Sequence, residues 1–509
     1  MPVLSRNLSK VSHMIKMIYR LVLFVFLLAG AEVEAQTTKK SLSMKEVIEI
    51  ASNQSPDAIA ARHRFRSSYW SYRSFRANYL PSLSFGSNAM PRFDRAYDRQ
   101  VDYQTGDDVY VERQNLYFQG GFTARQNIGL TGGSVSLSSS LERSERMGEN
   151  GIETYVSTPF SIGFTQQLFA FNRLKWDKEI EPLRFEEAKK NYVVSMEQVS
   201  ARALAYFFDL ALAQINLLIE QTNHQNSDTL YQLSKGRYNI GVIAENELLQ
   251  MELRFMNASS ALNRARIDLE SRKSQLRSFL GYNENVDIEL VIEADIPELT
   301  VDYEQALRLA LQNNPDIIAL NRQLKEAQRN VAQARSQRGL NATLSASFGL
   351  TQQAQKFSEV YNQPNDQQRV SISLNVPIVD WGLGKGTYKM AQSNQELVET
   401  TVEQERIDFE QNVFLQVMQF NMQDDQLRIA TKADTIAQRS YEVTKQRYLI
   451  GKVTVTDLNI SDTDKDASRR DYVAALRSYW TSYYTLRRIS LFNFEEEQPL
   501  TGDYEKLVE

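Results

Sequence analysis

"KGRYNIGV" occupies residues 235–242, "KQRYLIGK" occupies 445–452, and each interrupts a stretch that otherwise reads as one very long helix. Before the first lie residues 172–235, with Pro182 as the one proline; before the second lie residues 383–447, with none. At 1.5 Å per residue each stretch makes roughly 95 Å of helix, far beyond the usual length in a globular core. Behind each motif a returning helix is predicted, over about 245–280 and about 455–491. Gly241 and Gly451 provide positions where a positive φ costs little. The shared Arg-Tyr-x-x-Gly signal therefore predicts the tip of a helical hairpin, formed twice.

Outward from the tips the whole order of segments repeats. "SNQSPDAIAARHRFR" (52–66) parallels "QNNPDIIALNRQLK" (312–325), pairing Pro56 with Pro315 at a shift of 259. "FSIGFTQQLFAFN" (160–172) parallels "VSISLNVPIVDWG" (370–382) at a shift of 210, and Tyr238 and Gly241 parallel Tyr448 and Gly451 at the same 210. The difference of 49 locates a net insertion between about residues 86 and 155 of the first copy. Each copy opens on a helix, predicted over about 43–79 and about 302–338. The expected organisation is a leader over 1–35, a first repeat over 36–299 with its tip at 236–243, a second over 300–492 with its tip at 446–453, and a tail over 493–509.

Between the opening and long helices the period changes from 3.6 to 2. Over 342–350, Leu344, Ala346, Phe348 and Leu350 alternate with Thr343, Ser345, Ser347 and Gly349; over 369–379, Val370, Ile372, Leu374, Val376 and Ile378 alternate with small or polar residues. Phe160, Ile162, Phe164 and Leu168 repeat the pattern in the first copy. Strands apolar on one face and small or polar on the other suit a membrane barrel with a wet lumen. The same alternation serves a soluble antiparallel sheet with one buried face. "FTARQNIGLTGGSVSLSSSL" (122–141), inside the insertion, reads as strand, Gly-rich turn and strand, placed either in the same wall or in a local hairpin.

Arg6, Lys10, Lys16 and Arg20 precede the apolar run "LVLFVFLLAG" (21–30), and Val33 and Ala35 are placed for cleavage before Gln36. This predicts a secretory leader. The chain has no cysteine, which excludes disulfides and thiolate metal sites. No later run is expected to be apolar enough for a membrane helix. With 42% hydrophobic and 24% charged residues the composition is that of an ordered protein, and a net charge of −5 gives no basic field for nucleic acid. His63 and His224 are expected to be solvated, and no catalytic set, phosphate loop or metal-ligand spacing stands out; the run at Asp462, Asp464 and Asp466 lacks the glycine and glutamate of a calcium loop. No enzyme and no cofactor is expected.

The duplicated helix-strand-strand-helix-helix unit, the paired tips, "QQLFAFN" and "VPIVDWG" at strand-to-helix junctions, and "NNPD" in an opening helix together resemble the TolC-like outer-membrane efflux protein family. The resemblance implies a mainly α fold with membrane β: long helical hairpins forming a periplasmic helical barrel, and strands contributing to a trimeric outer-membrane β-barrel of about 12 strands, or about 18 if the insertion joins the wall. It implies an exit duct, embedded in outer-membrane lipid, for a tripartite efflux pump with a periplasmic adaptor protein and an inner-membrane transporter. A type I protein-secretion exit duct and a periplasmic coiled-coil scaffold are the alternatives. By the same resemblance Tyr238, Gly241, Val242, Tyr448, Gly451 and Lys452 are adaptor-docking tips. Tyr448 and Asp457 correspond to gate residues; the family's second gate acid is Ile460 here, and Asp462 is expected to replace it in part. Asp457 is equally well placed simply to cap the returning helix.

Overall fold

The computed structural model describes residues 39–148, 151–282, 286–292 and 299–508, so the expected leader and the 299/300 repeat boundary lie outside or at the edge of the described residues. It forms two compact units: residues up to Pro56 with Arg202–Ile296, and Asp57–Ala201 with Pro297–Glu509. The first copy runs β1 (Lys39–Leu42), α1 (Met44–Gln54), α2 (Pro56–Ala77), β2 (Ser82–Val101), β3 (Asp108–Ile128), β4 (Gly133–Met147), β5 (Ile152–Leu168), α3 (Arg173–Asn239), α4 (Glu245–Phe279) and β6 (Asp287–Leu290). The second runs α5 (Tyr303–Asn313), α6 (Pro315–Gln337), β7 (Asn341–Ala354), β8 (Asn365–Asn375), α7 (Leu383–Leu449) and α8 (Val455–Ser490), closed by the short strands β9 (Phe492–Asn493) and β10 (Gln498–Pro499).

Element starts repeat the sequence shifts: α1 and α5 begin 259 residues apart (303 − 44), as do β2 and β7 (341 − 82), while α3 and α7 begin 210 apart (383 − 173). The insertion is thus the hairpin β3–β4, placed between the two strands that the repeat requires. Each opening helix, expected to be continuous, is broken at its proline. Ser55 and Asn314 take extended backbone (ψ 147° and 132°) because a following proline disfavours the helical region, and Asn314 caps α6 by accepting from Asp316 N at 2.8 Å. The helices α3 and α7 are 67 residues each, about 100 Å long.

In the second unit, α7 and α8 pack along each other, and α6 packs on α7 through Ile317, Leu320 and Val402. The α8 end meets the α5–α6 break, where Asn314 Nδ2 donates to Ile489 O at 2.9 Å, and α6 continues along α7 beyond it. The tail does not hang free: Tyr504 packs on Phe65 (5.4 Å) and Tyr192 (6.5 Å), strapping α2 and α3. In the first unit, Tyr206 meets Phe279 (4.8 Å), and Phe255 meets Tyr231 (6.0 Å) and His224 (5.2 Å). His224 is therefore half-buried against a ring rather than solvated. One 18-residue window of α3 is, by length and composition, apolar enough to cross a membrane, contrary to expectation. Its residues Ala203, Leu204, Phe207, Phe208, Leu210 and Ala211 are buried inside the protein.

Six strands form one antiparallel meander, β2-β3-β4-β5-β7-β8. The inserted hairpin therefore joins the common sheet. β8 ends at Asn375, earlier than expected, so Val376 and Ile378 lie beyond it; Pro377, which cannot donate to a ladder, explains the stop. One register row reads Leu83–Ala124–Leu137–Ile162–Phe348, and the neighbouring one Val135–Phe164–Ala346–Val370. These side chains share a face, and Leu83, Leu137, Ile162, Phe348 and Val370 are exposed. The opposite face reads Ser84–Thr123–Ser138–Ser161 and Thr165–Ser345–Ser371. Further out, β2 and β3 carry ion pairs on both faces, including Arg99–Asp108 (2.5 Å) on the side of Leu83 and Arg113–Asp98 (2.9 Å) on the side of Thr123.

Candidate functional site

The two Arg-Tyr-x-x-Gly motifs are helix C-caps of one kind. At the first, Gly241 (φ +76°) donates its N–H to Tyr238 O and Val242 donates to Arg237 O, both at 2.9 Å. At the second, Gly451 (φ +73°) donates to Tyr448 O and Lys452 to Arg447 O, again both at 2.9 Å. This pair of bonds, with a left-handed residue at the turn, is the Schellman arrangement, and it satisfies carbonyls that the helix end leaves orphaned. Added Cβ atoms at Gly241 or Gly451 would meet nothing within 4 Å, so the glycine is required by backbone conformation and not by space.

Beyond the turn the tips differ. Thr454 caps α8 in a reciprocal box: its Oγ1 accepts from Asp457 N at 3.2 Å, and Asp457 Oδ2 accepts from Thr454 N at 2.9 Å. The Thr454 hydroxyl and backbone N–H hold the exposed Asp457 carboxyl below the usual range. Its second oxygen stays open to solvent, so capping leaves its charge presented. In the first copy Ala244 stands in place of Thr454 and makes no side-chain cap. The counterpart of Asp457 there is Glu247 (457 − 210), exposed in the first turn of α4. The 210-residue shift identifies it, although the motif itself does not.

The remaining expected residues separate. Val242 and Lys452 are exposed at the turns, as is Tyr238, whereas Tyr448 is buried within the second hairpin. Asp462 is also buried, a correction to its expected place beside Asp457 in an acidic mouth. Its Oδ1 accepts from Lys465 Nζ at 2.8 Å, and the same ammonium lies 3.2 Å from Asp466 and 4.0 Å from the centre of the Tyr441 ring. Burial works against the Lys465 charge, but Asp462 and Asp466 outweigh it and hold its pKa above the ordinary value. A helical face that turns Asp457 outward turns a residue five further on inward, where its charge must be paired.

Helical hairpins of this length, joined to a sheet with one exposed apolar face and one polar face, define the protomer of an outer-membrane channel-tunnel. The chain belongs to the outer membrane efflux protein family, whose sequence model matches residues 131–282 and 306–490. The fold is similar to that of the CmeC outer membrane channel of Campylobacter jejuni, with 14% identity over 94% of this chain and 93% of that one and a TM-score of 0.64. It is also similar to the outer-membrane channel OprN (16% identity, 89% and 90% covered, TM-score 0.62) and to the outer membrane protein VceC of Vibrio cholerae (15%, 88% and 95%, 0.59). No curated protein sequence matches the chain.

Proposed function

We propose that three copies of this chain form a single exit duct of a tripartite efflux pump, which conducts substrates passively from periplasm to exterior. The observation that carries this is the open sheet. β2 and β8 each have one unpaired edge, and the face between them is apolar and exposed. Unpaired strand edges are not tolerated in lipid, so the sheet needs copies of itself to close. Three copies give 18 strands, within the range of such barrels. The register row from Ser82, the first residue of β2, reaches β8 at Arg369, six residues short of its end at Asn375. Six residues over the five spacings between β2 and β8 is a stagger of about 20 Å in about 24 Å, or a tilt of about 40°, as closed membrane barrels have. On α7, Leu415, Met422, Ile429, Ile436 and Val443 stand exposed at seven-residue intervals, a seam fitted to a helix of the next copy.

The tips are the adaptor-docking surface in this reading, and the Asp457 carboxylates line the periplasmic mouth. The chain lacks cysteine, so Val242→Cys and Lys452→Cys are unique crosslinking positions. Both are expected to crosslink to the adaptor in cells, from a protein whose native mass in mild detergent is that of three chains. Gly451→Val should cost about 1–3 kcal/mol through left-handed backbone strain and reduce the Lys452→Cys crosslink. A monomeric mass with helix content intact would overturn the proposal. Asp457→Asn should lower cation over anion permeability in planar bilayers and weaken block by multivalent cations. Because Thr454 keeps this carboxyl ionised below the usual range, that block should persist into acid where an ordinary carboxylate has been neutralised. Unchanged ion selectivity in assembled Asp457→Asn trimers would leave Asp457 a cap alone.

A further inference from the structure

The polar sheet face carries charge of one sign across the height of the apolar band. Over 82–86, 121–127, 134–140, 158–165, 341–349 and 369–375 its residues are serine, threonine, glycine and asparagine, with two exceptions, Arg125 and Arg369. The two lie on one register row, Ser82–Arg125–Ser136–Gly163–Ser347–Arg369. Both side chains are exposed, and neither has an acidic partner within ion-pair distance among the described residues. The contrast lies further out on the same strands, where Arg92, Arg95, Arg99, Arg113 and Arg143 each pair with a carboxylate. The first acid on the polar face is Glu142, six residues along β4 from Ser136, about 20 Å away.

We propose that Arg125 and Arg369 form an anion-attracting belt inside the outer barrel, and that the cargo or counter-ligand it favours is multivalent and anionic, carrying phosphate or carboxylate groups. This rests on the trimeric duct reading, which turns two arginines into six. Guanidinium groups stay charged at every working pH and match carboxylate and phosphate with two parallel hydrogen bonds. The serine-rich wall around them is too short to reach a charge and leaves the arginines projecting furthest into the lumen. An 18-stranded wall tilted by about 40° has a backbone radius of about 18 Å. A small monovalent ion can pass such a lumen further from the wall than the Debye length of about 10 Å at 0.1 M salt, whereas a multivalent anion gathers at the belt.

The test is current block of reconstituted trimers by inorganic triphosphate at about 0.1 M salt. Triphosphate should interrupt the wild-type current, and the R125S/R369S channel should need at least tenfold more of it. R125K/R369K, which keeps the charge and loses the paired hydrogen bonds, should fall between wild type and R125S/R369S, and R99S, which removes a paired arginine outside the band, should not shift the blocking concentration. Equal block of wild type and R125S/R369S, or no block of wild type at millimolar triphosphate, overturns the belt while leaving the duct. Wild-type protein that forms no stepwise channels overturns both.

Discussion

Ile162→Arg should abolish channel formation, whereas Ser345→Arg, on the other face of the same sheet, should be accepted. Ile162 sits between Leu137 and Phe348 in a row of exposed apolar side chains, near the middle of the band. An arginine at the lipid midplane of a barrel costs about 2–4 kcal/mol, which is roughly 30-fold or more in the folding equilibrium of each chain. In the proposed trimer three chains share one barrel, so the loss is met three times. Ser345 lies between Thr165 and Ser371 on the polar face, where an added guanidinium meets water and small neighbours. Folding into lipid vesicles, followed by urea titration and by the frequency of channel insertion, reads both effects. Equal damage from the two substitutions would mean that the faces are not divided between lipid and lumen.

Arg487→Met is the second large effect, and it belongs to the helices. Arg487 Nη2 donates to Glu197 Oε1 at 3.0 Å, Glu197 is buried and Arg487 half-buried, and the guanidinium also lies 4.8 Å from the centre of the Tyr484 ring. Removing one partner of such a pair strands the other charge and costs about 3–5 kcal/mol. Burial already holds the Glu197 carboxyl above its ordinary pKa, with Arg487 pulling it back down. A carboxyl whose folded pKa lies above its unfolded value favours the folded state most at low pH, and that contribution is lost as pH rises through the folded pKa. Without Arg487 the folded value climbs further. The loss in R487M should therefore be small near pH 5 and largest at neutral pH, within the stability range set by the other carboxylates. E197L/R487M should recover most of it, because an apolar pair of similar volume leaves no buried charge. Thermal melts in detergent at the two pH values measure this. A pH-independent loss in R487M would place the effect in packing against Tyr484 instead.

Much of the fold was legible because its signals are local and occur in duplicate. The Arg-Tyr-x-x-Gly turns, the long runs of α3 and α7 with Pro182 as their one proline, and the returning helices are each set by backbone propensity within a few residues, and the repeat supplied a second reading of each. The prolines that break the opening helices are equally local, yet the 3.6 period running through them predicts one continuous helix in each copy; the extended backbone at Ser55 and Asn314 shows that the proline prevails. Period-two alternation marked the strands and their two faces, down to the serines of the polar side.

Position across the fold was not legible. Whether β3 and β4 pair into the common sheet depends on the edges that β2 and β5 offer, which no window of sequence contains. The row joining Arg125 to Arg369 spans 244 residues (369 − 125), and it exists only through four strand pairings. Asp457 and Asp462 are alike in sequence; the packing of α8 on α7 exposes the first and buries the second against Lys465. The sequence by itself determined which segments are helix, strand and turn, because those choices rest on neighbouring residues. Tertiary structure alone decided which charges are paired and which face open water, because burial and register are properties of distant segments brought together.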